Sequence, residues 1–233
     1  MRKLVGIGVG PGAADLLTLR AIRYLKKADH IFVPRNKGKS RTYEIVREVV
    51  DPTVVVFLDF PMGEAMADRY RKAFRMIDER TREDELSCLL TLGDGTVYAT
   101  LIEVFREGRG SNFELELVPG IPAFLAGING VAESLTRKGE SLLLMDELPN
   151  EMPRANTIVL LKTARAEESV RRLEDAGYHL LYLEEIETER WAASTDPKVF
   201  SERRHYMSMI IGRRQPWNTE AIRSHTKGRV RIL

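Results

Sequence analysis

The sequence is short of the features that mark secreted, membrane-bound and strongly nucleic-acid-binding proteins. It has one cysteine, Cys88, so an internal disulfide is excluded and a reducing compartment is favoured. The longest apolar runs are about five residues, against the ~18 needed to span a bilayer. Pro11 and the glycines around it interrupt the first apolar run too early for a signal peptide. The net charge of +2 demands no nucleic-acid partner. We expect a cytoplasmic protein with neither a membrane nor a nucleic-acid partner.

Residues for metal binding or covalent catalysis are also sparse. No nucleophilic triad is visible, and the histidines share no metal-ligand spacing, so each is expected to be a surface or core residue: His30, His179, His205 and His225. An acidic group, Glu184, Glu185 and Glu187, follows an apolar strand. We interpret it as a solvated strand end rather than a pair of catalytic carboxylates. The sequence therefore predicts no metal centre and names no catalytic acid or base.

Two glycine-rich loops are the most informative features that are present. The segment GIGVGPG, residues 6–12, ends the first apolar strand. The segment TLGDGTVYAT, residues 91–100, follows the apolar run LSCLL and opens a helical pattern. Glycine has no side chain to keep a flat ligand away from the main chain. The two loops therefore predict a nucleotide-like cofactor that is held mostly by backbone groups.

Strand and helix patterns alternate along the first half of the chain, which indicates an α/β domain with a largely parallel sheet. The strand patterns are KLVGIGV, HIFVP, TVVVFL, LSCLLTL and FELELV, and we expect Pro34 to stop the second of them. Proline and glycine in VPGIP, residues 118–122, predict a boundary. Strands follow each other more closely after it. We expect two α/β domains, residues 1–117 and 118–233, with the cofactor in a cleft between them.

The first loop also fits the dinucleotide fingerprint G-x-G-x-x-A, from Gly8 to Ala13. Two features argue against a nicotinamide cofactor. The second strand ends in Pro34 and Arg35 instead of an acid for the ribose, although an arginine there could read a 2′-phosphate. Pro11 removes a backbone donor that a pyrophosphate would use. A nicotinamide dehydrogenase, or a loop that merely turns from strand to helix, remains an alternative.

Several segments together resemble the tetrapyrrole methylases. They are VGIGVGPGAADLLTLRAIRYLKKAD, TLGDGTVYAT and LVPGIPAF. Within that family, ADHIFVPRNKGKSRTYEIVRE, VVVFLDFPM and YMSMIIGRR are similar to the branch that methylates C-20 of precorrin-2 or cobalt-factor II in cobalamin biosynthesis. The resemblance implies S-adenosylmethionine as cofactor, a tetrapyrrole substrate and a homodimer. It extends nearly to Arg214, and the tail that follows matches no pattern of the family.

The resemblance also implies which residues contact the cofactor. They are Pro11, Leu92, Gly93, Asp94, Val97, Tyr98, Pro122, Ala123 and Leu161. The chain departs from the family at Gly95, where a proline is usual, and at Pro122, where a threonine is usual, so one side-chain hydroxyl is missing. Asp94 is the only charged member of the set. We expect it to hydrogen-bond to cofactor or macrocycle, and the alternative is a helix cap.

The substrate implied by the resemblance carries many carboxylates. A basic loop just past the second strand is placed to bind them, because α/β folds bind ligands at the carboxyl ends of strands: Arg35, Lys37, Lys39 and Arg41. Phe60-Pro61-Met62 follows the third strand. We interpret Met62 as part of a wall that sets the rotation of the ring, with a simple strand terminator as the alternative.

Two further alternatives share this scaffold. One is a methylase of the same superfamily that acts on another ring carbon or on a modified protein residue. The other is an RNA methylase, which the basic tail would serve: Arg223, Lys227, Arg229 and Arg231. The near-neutral charge and the lack of an aromatic platform argue against RNA binding.

Overall fold

A parallel five-stranded sheet forms the centre of the first part of the chain in the computed structural model, which describes residues 1–60, 66–161, 163, 166–196, 207–220, 222 and 230–232. The strand order is β3-β2-β4-β1-β5, and every pair is parallel. The elements in chain order are β1 (Arg2–Gly8), α1 (Leu19–Leu25), β2 (His30–Arg35), α2 (Arg41–Val46), β3 (Val55–Asp59), α3 (Met66–Arg80), β4 (Leu86–Thr91), α4 (Thr100–Glu107) and β5 (Phe113–Val118).

Helices cover both faces of this sheet, which is why its central strands are apolar almost without interruption. In β4, Cys88 and Leu90 belong to a core cluster with α1 and α2. Leu89, between them, belongs to a second cluster with α3 and α4. The period of two along the strand thus supplies both cores, and the predicted α/β class is confirmed.

The predicted boundaries of two elements needed correction. Pro34 does not stop β2, which continues through Arg35. Pairing of β2 with β4 ends at Phe32 and Leu89, so the N–H that Pro34 lacks is not needed on that side. The apolar residues from Asp15 to Ala28 recur at helical spacing and predict a helix over that range, but the helix observed is the shorter α1. The Thr18 hydroxyl accepts the N–H of Ala21 and caps the helix there.

The second part of the chain contains a mixed six-stranded sheet of order β11-β9-β8-β10-β7-β6. Its β8, β9, β10 and β7 pair antiparallel, whereas β6 with β7 and β9 with β11 are parallel. Its elements are α5 (Ala123–Gly130), β6 (Leu142–Met145), β7 (Thr157–Leu161), α6 (Ala166–Asp175), β8 (His179–Glu184), β9 (Ala192–Ser194), β10 (Ser208–Arg213) and β11 (Arg231–Ile232). The sequence patterns did not predict the short β9 and β11.

The chain divides into two compact units, Met1–Pro122 and Ala123–Leu233. The division falls after Pro122, whereas the sequence pattern placed it before Val118. Val118 is the last residue of β5, which pairs with β1, and Gly120 packs on Gly8. The segment VPGIP therefore belongs to the first unit.

The acidic group after β8 is not the solvated strand end that we expected. Glu184 and Glu185 are each only 3% exposed. The hydroxyl of Tyr182 donates to Glu184 Oε2 at 2.8 Å, and Arg190 Nη2 lies 3.4 Å from Glu185 Oε1. Buried carboxylates need such partners because an isolated buried charge is costly. The expectation was wrong because an acid at the end of an apolar strand looks the same in sequence whether or not other segments cover it.

Candidate functional site

Three loops of the first unit leave the same edge of the parallel sheet. Gly8 at the end of β1 is level with Thr91 at the end of β4, and Ile7 is level with Val118 at the end of β5. Ligands of open α/β sheets bind at this carboxyl edge. The parallel register therefore brings together the two glycine loops and the segment that follows β5.

The two glycine loops are joined by backbone hydrogen bonds. The N–H of Gly93 donates to the carbonyl of Gly10 at 2.8 Å, and the N–H of Gly10 donates to the carbonyl of Gly93 at 3.2 Å. The N–H of Val9 also donates to the carbonyl of Thr91 at 2.9 Å. Gly10 and Gly93 have φ values of +81° and +68°, which residues with side chains rarely adopt. Glycine at both positions is thus required by the bridge itself.

The glycines of the three loops fall into two groups, according to which atoms a Cβ added at each position would meet. A Cβ on Gly120 would lie 2.0 Å from the carbonyl oxygen of Gly93, and one on Gly8 would lie 2.6 Å from that same oxygen. By contrast, a Cβ on Gly93 would meet no atom closer than 3.9 Å. Gly8 and Gly120 therefore let the three loops pack together, whereas Gly93 leaves room beside the Gly10–Gly93 bridge, a space that we call the cradle.

Asp94 ties the loop after β4 to the loop after β5. Its Oδ1 accepts from the backbone N–H of Thr96 at 2.8 Å and from the Thr96 hydroxyl at 2.5 Å. Its Oδ2 accepts from the N–H of Gly120 at 2.9 Å. Burial alone would raise the pKa of Asp94, but these hydrogen bonds outweigh it and hold the pKa below its ordinary value. The carboxylate is therefore ionised and already engaged by the protein, and its direct contact with a ligand stays a prediction.

Most of the predicted cofactor residues lie at this edge. Pro11 is buried, Tyr98 is exposed with a φ of +46°, and the Cα of Pro122 lies near Gly93. The structure places these members of the set in the loops of the first unit: Pro11, Leu92, Gly93, Asp94, Val97, Tyr98 and Pro122. Ala123 begins α5 and Leu161 ends β7, and both belong to the second unit.

The geometry also bears on the dinucleotide alternative. That site needs the pyrophosphate at a helix N-terminus directly after the glycine loop. Here α1 begins only at Leu19, and its N-terminal cap, Thr18, follows a 3-10 turn, Ala14–Leu16. Gly8 faces the backbone of Gly93 and Gly120. The loop that matches the fingerprint therefore lacks the helix that a dinucleotide requires.

The predicted basic loop is a short hairpin. Arg35 at the end of β2 makes a bidentate ion pair with Asp59 at the end of β3, at 2.8 and 2.6 Å. Asn36 and Lys39 exchange both backbone hydrogen bonds, at 2.9 and 3.0 Å. Lys37 and Lys39 are exposed, and Arg41 begins α2. The basic residues thus share the carboxyl edge with the glycine loops, but Arg35 is already paired.

Sequence reasoning missed three residues of this edge: Gly120, Thr96 and Asp59. Asp59 could have been found, because it ends β3 as Arg35 ends β2 and consecutive strands of an α/β unit are often neighbours. Met62 lies outside the described residues, and Phe60 in the same segment packs in the core cluster with α3.

Comparison with known proteins identifies similar chains over most of this sequence. The family model described as Tetrapyrrole (Corrin/Porphyrin) Methylases matches residues 3–189. A probable cobalt-precorrin-2 C(20)-methyltransferase of Methanocaldococcus jannaschii is 30% identical over 224 residues, which cover 92% of this chain and 97% of that one. A cobalt-precorrin-2 C(20)-methyltransferase of Salmonella typhimurium is 30% identical over 172 residues, which cover 69% and 72% of the two chains.

A solved structure shows the same fold. The uroporphyrin-III C-methyltransferase of Thermus thermophilus, crystallised with S-adenosylhomocysteine, superposes with a TM-score of 0.69. Its sequence is 19% identical to this one, and the superposition covers 95% of this chain and 99% of that one. At this identity the likeness supports the architecture of both units.

Proposed function

This chain belongs to the tetrapyrrole (corrin/porphyrin) methylases, and from that premise we propose that it transfers a methyl group from S-adenosylmethionine to C-20 of precorrin-2 or cobalt-factor II. The observation that carries the choice of C-20 is the 30% identity to a probable cobalt-precorrin-2 C(20)-methyltransferase over 92% of the chain. The reaction places the enzyme in cobalamin biosynthesis.

The loops at the carboxyl edge fit the proposed cofactor. In the cradle, a Cβ on Gly93 would meet no atom closer than 3.9 Å, which leaves room for a ligand against the main chain. Asp94 holds Gly120 and Thr96 in place around it. S-adenosylmethionine supplies an activated methyl group when it is bound. We propose that the cofactor contacts come from the residues predicted above, Ala123 and Leu161 among them.

The chain's own task in this reaction is to bind and orient. The methyl donor is already activated and the macrocycle is electron-rich, so neither a metal nor a covalent nucleophile is required. Holding the two reacting carbon atoms about 3 Å apart and in line can contribute roughly 7–11 kcal/mol to lowering the barrier. For the substrate we propose a binding role for the basic loop that contains Arg35, Lys37, Lys39 and Arg41, and for Met62.

The test is the position of the transferred methyl group. With isotope-labelled S-adenosylmethionine and either macrocycle, NMR and mass spectrometry of the product should place one label at the meso carbon between rings A and D. A label on a pyrrole-ring carbon would establish another methylase of the family, the second candidate that the family match supports. Turnover of neither macrocycle would contradict the proposal.

The proposal includes a homodimer that works in the cytoplasm without nucleic acid. Within the described part of the chain no helix is long and apolar enough to cross a membrane. Sedimentation velocity would test the dimer, and a salt-dependent gel-shift assay with RNA would test for nucleic-acid binding. Fractionation of native cells would test the location.

A further inference from the structure

The tip of the basic hairpin, residues 35–40, is a preformed tight turn. Asn36 and Lys39 are paired by two backbone hydrogen bonds, with Lys37 and Gly38 between them. Lys37 has a φ of +48° and Gly38 a φ of +76°. Positive φ at both central positions is the signature of a type I′ turn, the tightest hairpin connection that matches the twist of strands. The turn therefore fixes the direction of the chain at the tip.

A lysine is an unfavourable choice for the first central position of that turn. Asn, Asp and Gly dominate there, because other residues crowd the following carbonyl in the left-handed region. A Cβ on the neighbouring Gly38 would meet no atom within 4 Å, and Lys37 itself is exposed, so the tip is open at both central positions. Glycine would therefore stabilise this turn better than lysine does, and the presence of Lys37 is not explained by the stability of the turn.

The base of the hairpin is fixed by an ion pair. The Nε and Nη2 groups of Arg35 donate to the two oxygens of the Asp59 carboxylate. The guanidinium also lies 4.9 Å from the centre of the Phe57 ring. This pair joins the ends of β2 and β3, from which the hairpin rises. Because the bidentate face of Arg35 is occupied, it is unavailable for a second carboxylate in the same geometry.

The two lysines at the tip of the hairpin differ from Arg35 in their surroundings. Lys37 and Lys39 are exposed, and neither makes a side-chain ion pair with any residue in the described ranges. Both follow the carboxyl end of β2, and β2 is the neighbour of β4, whose loop carries Gly93 and Asp94. A lysine acts as a mobile point charge, which suits flexible carboxylate arms better than one rigid geometry.

We propose that the basic hairpin is a carboxylate-binding element in which Lys37 and Lys39 contact the acidic side chains of the macrocycle, while Arg35 and Asp59 are positioning residues. This rests on the proposed function and divides the predicted basic loop into two roles. The cofactor is not held by the hairpin, so its affinity is independent of both lysines.

Lys37→Gly gives the sharpest test, because it removes the charge and keeps the turn. Binding of uroporphyrin III, a polycarboxylate porphyrin, is measured by fluorescence quenching in the presence of S-adenosylhomocysteine. We expect the Kd to rise about fivefold for Lys37→Gly and for Lys39→Gln, as for partly exposed charge pairs. The melting temperature of Lys37→Gly should not fall.

Lys27→Gln is the matched control for these variants. This exposed lysine follows α1 at the opposite edge of the sheet, and its removal should leave the Kd for uroporphyrin III unchanged.

The positioning role is tested at Asp59. Asp59→Asn should raise the Kd, and exchanging the two charges by Arg35→Asp with Asp59→Arg should restore it. A lower Kd in Asp59→Asn would show that a released Arg35 binds the porphyrin itself and would overturn the division of roles. Coproporphyrin III, which carries fewer carboxylates, should show a smaller loss than uroporphyrin III in the lysine variants.

The outcomes separate this inference from the proposed function. An unchanged Kd in the double variant Lys37→Gly, Lys39→Gln, with wild type that binds uroporphyrin III and methylates C-20, would overturn the inference alone. A wild-type protein that binds S-adenosylhomocysteine but neither porphyrin, and that turns over neither precorrin-2 nor cobalt-factor II, would overturn both.

Discussion

The glycine cluster and the basic hairpin stand on the same sheet edge but are built from different interactions. In the cluster, Gly8 and Gly120 pack against the main chain of Gly93, and neither of the two has space for a methyl group. In the hairpin, exposed charges and one ion pair surround an open turn. Close packing is intolerant of added volume, whereas exposed charges interact weakly and are screened by salt. A substitution should therefore cost much more in the cluster than in the hairpin.

The largest effect is expected from Gly120→Ala. The new Cβ would lie 2.0 Å from the Gly93 carbonyl oxygen, and backbone on both sides cannot move aside cheaply. We expect a loss of about 3 kcal/mol in the free energy of unfolding, measured by urea denaturation.

Gly38→Ala in the hairpin is the control for that substitution. It adds the same methyl group in open space at a φ of +76°, so only the left-handed conformation is penalised, by roughly 1 kcal/mol. Equal losses in the two variants would show that the cluster is not limited by steric contact.

The next effect concerns cofactor binding. S-adenosylhomocysteine at a hundredfold excess over its Kd should stabilise the wild type by about 2.7 kcal/mol. Gly93→Val should abolish that gain, because the branched side chain fills the cradle and is disfavoured at a φ of +68°. Thermal unfolding with and without the ligand measures it. Full stabilisation of Gly93→Val, or a shift of the wild type with a nicotinamide dinucleotide instead, would argue against the cradle.

Asp94 should make the cluster sensitive to acid. Its pKa is lowered in the folded protein, so its contribution is fully present above the ordinary value of 3.8 and is lost as the pH falls through the lower folded value. Asp94→Asn cannot accept from both Thr96 and Gly120 with oxygen atoms, and near neutral pH it should lose about 1–3 kcal/mol of stability. The difference in the free energy of unfolding between wild type and variant should shrink in strong acid. A difference that is constant with pH would show that the charge of Asp94 is not used.

The smallest effect on stability is expected at the base of the hairpin. The Asp59 side chain is 58% exposed, and an exposed ion pair contributes little to stability because water and salt screen it. Asp59→Asn should therefore change the melting temperature by little, while it weakens porphyrin binding as proposed above. A loss of stability comparable to that of Gly120→Ala would erase the contrast between the two regions.

The functional class could be predicted from the sequence because a site formed by backbone atoms depends on short local motifs. Gly10 and Gly93 lie in short motifs whose glycines are needed wherever the chain turns with positive φ. The residues predicted for the first unit accordingly lie together at one edge. What the motifs could not show is that a Cβ on Gly8 or Gly120 would clash with backbone, while a Cβ on Gly93 would meet no atom closer than 3.9 Å.

The sequence by itself determined the alternation of strands and helices, the two glycine loops, the basic loop and through them the family. These properties follow from hydrophobic period and glycine conformation, which act over neighbouring residues. Only the tertiary structure decided the partners of Asp94, the pairing of Arg35 with Asp59 and the burial of Glu184. Asp94 and Gly120 are 26 residues apart, and they meet because the parallel order β4-β1-β5 brings the ends of those strands to one edge. Contacts of this kind depend on which strands become neighbours, and no local pattern records that order.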